Sequence, residues 1–382
     1  MKTILLISPY WKEDHRWMVS SVKLAELWQR IGFRVVVVCM GKNEQLAGSK
    51  EQLGKASIEQ VSGTLEIHRV PDFFIPDPWN YGIAFGFSGY AVKLVKSIKP
   101  DIVVVNKLLF WSSLSTIALR LRGVRVIQIT DALVGMTWWP RGFIPKVCAA
   151  IYAWTLGWLE LLCAERVVFF HPQSEKLLKR LGIAGKCEVI PTGIDPSTFG
   201  TRANESGKVT VTYVGRLESI KGVDDFLAAV SPIVKSHSEV RAQVVGWYKE
   251  GHPLVAKYER DVTFTGLQSD IPGILSKTDI FVLPSHSEGL SNALMEAMAS
   301  SCACIASDVG GNRFLIQNGI SGFLFPAGDR EALRSHIQRL IEDPIKRQSM
   351  GMAARERIEK LFSWDIVGEQ YDQLFQKFIT QK

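Results

Sequence analysis

The chain has 382 residues, 47% of them apolar and 22% charged, a length that suits about two domains and a balance that excludes disorder and leaves ample material for buried cores. Its formal charge of +7 is uneven: residues 1 to 195 carry 24 Lys and Arg against 16 Asp and Glu, the remainder 21 against 22. Nine of the eleven tryptophans also lie in that first half, which points to an anionic or lipid-like partner; nucleic acid is not expected, because no basic-aromatic cluster on one element, helix-turn-helix or zinc spacing occurs.

The opening MKTILLISPY has one charge and a short apolar run that stops at Ser8 and Pro9. It is too short for a signal peptide and reads as a first strand, so a cytoplasmic protein is expected. The six cysteines are scattered through apolar contexts, not arranged as a disulfide or zinc framework, and read as packing thiols in a reducing compartment.

Taken in order, ILLI, a helix carrying Met18, Val22, Ala25 and Trp28, and RVVVVC form a first strand-helix-strand unit, with Gly32 marking the helix end. LEIHRV, DIVVVN, VRVIQI, RVVFF and CEVI follow as strands. Alternation with helical segments predicts a parallel sheet with right-handed crossovers. Residues 191 to 208, PTGIDPSTFGTRANESGK, are dense in turn formers and read as a linker. The pattern then repeats: VTVTYV, the turn GRLESIKG, a helix burying Val223, Phe226, Leu227, Val230 and Ile233, and strands AQVVG, VTFTG, DIFVLP, ACIAS and GFLF. From Glu331 onward the chain reads as helical with a break at Phe362-Ser363-Trp364. The expected fold is α/β, with two Rossmann-like domains, 1–195 and 196–364, facing across one cleft, and residues 365–382 crossing back to the first.

The stretch PSHSEGLSNALMEAMASSCACIASDVGG places Glu288 just before a predicted helix and Glu296 inside it. Leu290, Leu294, Ala297 and Met298 share one face; Asn292 and Glu296 share another. The flanking runs IFVLP and ACIAS are apolar throughout, as in parallel strands buried on both faces. Glu288 therefore falls at a strand's carboxyl end, where open α/β sheets bind ligands and helix amides, here those of Gly289, Leu290 and Ser291, are unpaired. The bland alternative is that Glu288 caps the helix and Glu296 is solvated.

YVGRLESIKG, IFVLPSHSEGLSNALMEAMASS, IASDVGG and NGISGFLFPAGD occur in an order and spacing that resembles the retaining glycosyltransferases of the GT4 type, which have the GT-B fold. VIPTGID resembles the segment that ends their first domain. The resemblance covers the linker and the whole second domain and is weaker over the first. It implies that the second domain binds a nucleotide-diphosphate sugar, with Gly215, Arg216 and Lys221 at the phosphates, where fixed cations stabilise the charge of a departing diphosphate. Glu288 matches the carboxylate that supports the anomeric centre, and Glu296 the one that accepts from the ribose hydroxyls. No Asp-x-Asp occurs, and with the cation pair as charge neutraliser neither a metal nor another cofactor is expected.

The first domain departs from that pattern. The loop after the first strand reads SPYWKEDHRWM where a glycine pair is frequent, and the His-Asp pair of many members is replaced by Thr130-Asp131. Either Asp131 carries the acceptor-side role or His15 substitutes in space. The stretch MTWWPRGFIPKVCAAIYAWTLGWLELLCAERV reads as a core or cleft helix from Pro145; contact with a membrane-bound acceptor is the alternative, with Trp138 and Trp139, just before the helix, placed on the acceptor side. The expected activity is transfer of a sugar, with retention, to a lipid-linked saccharide or glycan precursor in cell-envelope polysaccharide synthesis, by a protein peripheral on the cytoplasmic membrane face. A nucleotide-sugar epimerase and a non-catalytic glycan-binding or scaffold protein are the competing readings.

Overall fold

The computed structural model describes every residue except 13–18, 42–55, 76–80, 138, 140, 141, 202–206 and 382; Met18 and His15 thus lie outside the described residues. The chain divides into two compact units, Met1–Thr192 with Gly368–Lys382, and Gly193–Val367.

The first unit runs β1 (Thr3–Ile7), α1 (Val19–Arg30), β2 (Arg34–Met40), β3 (Ser57–Ser62), β4 (Leu65–Val70), a hairpin of β5 (Phe73–Ile75) and β6 (Tyr81–Ile83), α2 (Phe87–Ile98), β7 (Ile102–Asn106), α3 (Ser115–Arg120) and β8 (Ile127–Thr130). One helical stretch follows, made of α4 (Phe143–Tyr152), a π-turn (Ala153–Gly157) and α5 (Trp158–Cys163); β9 (Arg166–Phe169), α6 (Glu175–Arg180) and β10 (Cys187–Val189) complete the unit. Its sheet has the order β10-β9-β8-β7-β1-β2-β4-β3. All neighbours are parallel except β3 and β4. The continuous Val/Ile/Leu runs of β1, β2 and β7 are the wholly buried centre, because both faces are covered by helices. On one face Trp28 of α1 packs edge-on against Tyr371 and Phe375, with ring centroids 5.7 and 5.5 Å apart.

The second unit comprises β11 (Val209–Val214), α7 (Val223–Ser236), β12 (Val240–Val245), α8 (Pro253–Tyr258), β13 (Val262–Gly266), α9 (Ile271–Leu275), β14 (Ile280–Leu283), α10 (Asn292–Ala299), β15 (Ala303–Ser307), α11 (Asn312–Leu315), β16 (Phe323–Phe325), α12 (Arg330–Glu342) and α13 (Pro344–Leu361); α14 (Trp364–Thr380) starts there and ends in the first unit. The six strands are all parallel, in the order β13-β12-β11-β14-β15-β16. Phe226, Leu227 and Val230 of α7 are buried against them, as their spacing predicts.

Four local features differ from the sequence reading. Strand β3 is exposed along its whole length, so its polar sequence SIEQVS gives no apolar signal; it is held by antiparallel pairing to β4, by Arg69 donating to Glu59 at 2.7 Å and by Gln29 of α1 donating to Ser62 at 3.4 Å. The long C-terminal helical stretch is also broken at Asp343, whose side chain caps α13 by accepting from the Lys346 amide at 2.8 Å, ahead of Pro344 at the first helical position. The helix of residues 143–163 starts at Phe143, before Pro145, and is not a core helix: 28% of its most apolar stretch is buried. Of the six cysteines, Cys39, Cys302 and Cys304 are buried, whereas Cys148, on that helix, is exposed and not a packing thiol.

Candidate functional site

In each unit the strand order reverses once beside the first strand, between β11 and β14 and between β1 and β7. The crevice at the carboxyl ends of such strands is where open α/β sheets hold ligands.

In the second unit the two loops at this switch point carry the predicted residues. After β11 the chain passes through Gly215 and Arg216 to a short 3₁₀ turn, Ser219–Lys221. After β14 it passes through Ser285 to Glu288. The structure joins the two: the Lys221 Nζ donates to Glu288 Oε1 at 2.7 Å, and Ser285 Oγ donates to the same oxygen at 2.7 Å. Backbone contacts set this approach. His286 N donates to the Ile220 carbonyl at 2.9 Å. Gly222 has φ +65°, and a Cβ there would stand 2.0 Å from the Pro284 carbonyl oxygen, so neither the conformation nor the space admits a side chain. From the other side Gly311 N donates to the Gly289 carbonyl at 2.9 Å, and at Gly310, with φ +47°, a Cβ would lie 1.9 Å from the Glu288 carbonyl oxygen. The DVGG segment is therefore a template for the Glu288 loop.

Arg216 is not part of this ion pair. Its guanidinium is exposed and donates to Glu218 Oε1 at 3.0 Å, while its carbonyl accepts from the Tyr213 hydroxyl at 2.9 Å. Tyr213 is fully buried, and burial, followed by the Glu288 charge, raises its hydroxyl well above the ordinary range. It acts as a fixed prop under the loop.

Glu288 does not cap α10. Ser291 does, its hydroxyl accepting from the Leu294 amide at 3.3 Å. Leu294, Ala297 and Met298 are buried and Leu290 half-buried, which leaves Glu296 on the other side of the helix. Burial pushes its carboxyl up to about 7, with no offsetting charge or hydrogen bond among the described residues. A half-buried carboxyl in that condition suits a ligand that supplies its own donors, as a vicinal diol does.

Sequence reasoning missed one support of this site. Asp225 of α7, buried, accepts from Arg330 Nε at 2.6 Å and lies 3.1 Å from His286 Nε2. His286 is thereby anchored at its backbone and close to an anion at its ring, inside the loop that ends at Glu288. Its lone occurrence in SHSEG gave no spacing signal that could have revealed a partner sixty residues earlier.

In the first unit Asp131 follows β8, and the residues after the neighbouring strands converge on it. Lys107, just beyond β7, places Nζ 2.7 Å from Asp131 Oδ2. Burial alone would raise the Asp131 carboxyl; the adjacent ammonium and a backbone donor outweigh it and hold it below the usual range. His171, just beyond β9, is buried, and desolvation lowers its pKa despite the Pro172 carbonyl and the Asp131 charge. Lys107 also has φ +75°, a rare backbone state for a lysine. Neither Lys107 nor His171 was singled out from the sequence, because each follows its strand without a motif.

Thr130 is buried and spends its hydroxyl on the Ala132 carbonyl at 2.9 Å. Trp139 is exposed. His15 and Trp138 lie outside the described residues.

Comparison with known proteins bears on this arrangement. Residues 19–198 match the family described as Glycosyltransferase Family 4, and residues 208–343 the family described as Glycosyl transferases group 1. The chain is 28% identical over 274 residues to the UDP-Gal:alpha-D-GlcNAc-diphosphoundecaprenol alpha-1,3-galactosyltransferase of Escherichia coli, covering 66% of this chain and 69% of that protein. It is 28% identical over 177 residues to the capsular polysaccharide biosynthesis glycosyltransferase CapM of Staphylococcus aureus, covering 45% of this chain and about half, 47%, of that protein. Among solved structures, sucrose-phosphate synthase from Thermosynechococcus elongatus superposes with a TM-score of 0.77 at 21% identity, covering all of both chains. Anabaena HepE in complex with UDP superposes with 0.70 at 16% identity, covering 99% of this chain and 100% of that one. By its two family matches and its fold, the chain belongs to the GT-B glycosyltransferases of family 4, the glycosyl transferases group 1.

Proposed function

We propose that the protein moves a sugar from a nucleotide-diphosphate donor to an acceptor hydroxyl with retention of configuration, and that the acceptor is a lipid-linked saccharide or glycan precursor in cell-envelope synthesis. The observation that carries this reading is the pairing of Lys221 with Glu288 at the switch point, with an exposed Arg216 guanidinium on the first of its two loops and a half-buried Glu296, without a partner among the described residues, on the helix after the second. Two cations next to carboxylates suit a ligand with a diphosphate at one end and hydroxyl groups at the other. The E. coli relative, named for a diphosphoundecaprenol acceptor, and HepE, solved with UDP, support the two halves of the assignment.

In this reading the acceptor oxygen attacks the anomeric carbon on the face from which the diphosphate departs. The carbon–oxygen bond to the diphosphate breaks, and the acceptor proton passes to the leaving phosphate oxygen. Arg216 and Lys221 stabilise the charge that builds there, a role in which a fixed cation is worth more in the transition state than in the ground state. Glu288 supports positive charge at the anomeric centre, and Glu296 accepts from the ribose hydroxyls. Asp131, kept ionised by Lys107, is assigned to the acceptor side. No metal has a step here, and the protein works at the cytoplasmic membrane face.

The test is a thermal-shift screen against UDP-, GDP- and ADP-sugars, since a ligand that binds the folded state raises its melting temperature. A shift with one nucleotide class, product of unchanged anomeric configuration by NMR, and turnover unaffected by EDTA are expected. No shift with any nucleotide sugar would remove the reading.

A further inference from the structure

The helix from Phe143 to Cys163 joins β8 to β9 and meets the rest of the first unit through a narrow face of Ala149, Ala153, Gly157, Glu160 and Leu161. Nine of its other residues are large and exposed, among them Phe143 at 80%, Ile144 at 63% and Ile151 at 62%. Soluble surfaces rarely leave so continuous an apolar area uncovered. It is not a membrane span, because β8 and β9, at its two ends, are adjacent parallel strands of one sheet and cannot lie on opposite sides of a bilayer.

The charge around this face is mainly positive, with Glu165, just beyond the helix end, 3.4 Å from Arg120. No acidic residue occurs between Asp131 and Glu160, and Glu160 itself is buried, so it presents no charge to the outside. Lys146 is exposed on the helix. The Arg180 guanidinium lies 5.0 Å over the Trp154 ring, and Lys186 Nζ donates to the Leu162 and Ala164 carbonyls at the helix end, at 2.8 and 2.7 Å. The acid of the neighbouring α6, Glu175, is paired with Lys179 at 2.6 Å. An apolar strip with tryptophans and a cationic rim is complementary to the boundary between acyl chains and anionic headgroups.

We propose that this face seats the first unit on an anionic lipid bilayer, with the helix lying in the interface plane. The helix is packed directly on the segment that follows Asp131: Gly135 has φ +80°, and a Cβ there would stand 2.2 Å from the Ala149 carbonyl oxygen. Docking therefore brings the carboxyl end of β8 close to the headgroup layer, where a lipid-linked acceptor is held. That last link rests on the proposed function; the docking surface itself does not.

The full chain should float with phosphatidylcholine vesicles containing phosphatidylglycerol at low salt, and less with phosphatidylcholine alone or at high salt. Ile151→Glu with Leu159→Glu should weaken flotation by at least about tenfold, since charges replace two inserting side chains, while melting temperature and nucleotide-sugar shift stay as in the parent chain. Phe143→Ser with Ile144→Ser provides a second pair should the first disturb folding. A parent chain that does not float with anionic vesicles, or variants that float equally well, would overturn the proposal. So would sedimentation showing a parent dimer that the same substitutions dissociate, because the occupant would then be a second copy. Loss of all nucleotide-sugar binding in the parent chain would sink the transferase reading and leave the flotation result standing.

Discussion

Lys221 and Glu288, 67 residues apart, meet at 2.7 Å over the carboxyl ends of β11 and β14. In the proposed reading a diphosphate here shares the lysine with the carboxylate. Replacing Lys221 by Ala should lower turnover by on the order of 100-fold or more, as for loss of one transition-state contact. Arg216→Ala, whose guanidinium is exposed, should leave the melting temperature unchanged and cost turnover to a similar extent. Initial rates of nucleotide release on each variant check both. Rates within a factor of a few of the parent would remove that residue from the phosphate site.

If Glu296 accepts from the ribose hydroxyls as proposed, nucleotide affinity should depend on pH. Its carboxyl sits at about 7 in the folded chain against an ordinary 4.5. The anion is the form that accepts two hydroxyl donors, so affinity should rise as pH increases through about 7 and level off above it, by up to about tenfold per pH unit on the rising side. Glu296→Gln should flatten the profile. Calorimetric titration of the preferred nucleotide sugar at several pH values is the measurement, and a flat parent profile contradicts the assignment.

Glu160 should make stability depend on pH. Its carboxyl is fully buried, accepts from the Tyr152 hydroxyl, and is pushed up to about 8 against an ordinary 4.5, with burial as the main cause. Between those two values the folded chain holds a proton that the unfolded chain has lost. Stability contributed by this group is therefore fully present below about 4.5 and falls as pH rises toward 8, by at most about 1.4 kcal/mol per pH unit. Glu160→Gln keeps an acceptor for Tyr152 and removes the titration. Urea midpoints of parent and variant should converge under acid conditions and separate in the variant's favour at mildly alkaline pH.

Substitutions at Asp131 and Lys107 should separate acceptor chemistry from donor binding. Asp131→Asn should abolish transfer while the nucleotide-sugar thermal shift is retained. Lys107→Met should move the acidic limb of the pH–rate profile upward, because the ammonium that holds Asp131 below the usual range is gone. An unchanged acidic limb would show that Asp131 does not titrate in turnover.

The parallel sheets were legible in the sequence because their strands are apolar on both faces, and such runs as RVVVVC and IFVLP have few other uses. The residues that meet at the second unit's switch point could also be picked out, since Lys221 and Glu288 sit in long motifs. What escaped was of two kinds. Strand β3 is held by backbone pairing and a cross-strand Glu59–Arg69 ion pair, neither of which apolar patterning reveals. Lys107, His171 and His286 acquire partners only when strands distant in sequence are laid side by side, so no local spacing marks them. The helix of residues 143–163 misled for a related reason: an apolar composition suits a core and an interface equally, and exposure is decided by the sheet beneath it.

The glycine at position 310 has a practical consequence. With its missing side chain filled by the Glu288 carbonyl, the loop from Ser285 to Leu290 is cast against a second segment and cannot shift alone. Libraries that randomise residues 286 to 290 in search of new donor sugars should change which groups line the site while leaving its outline intact. Moving that outline would require selecting positions 310 and 311 together with them.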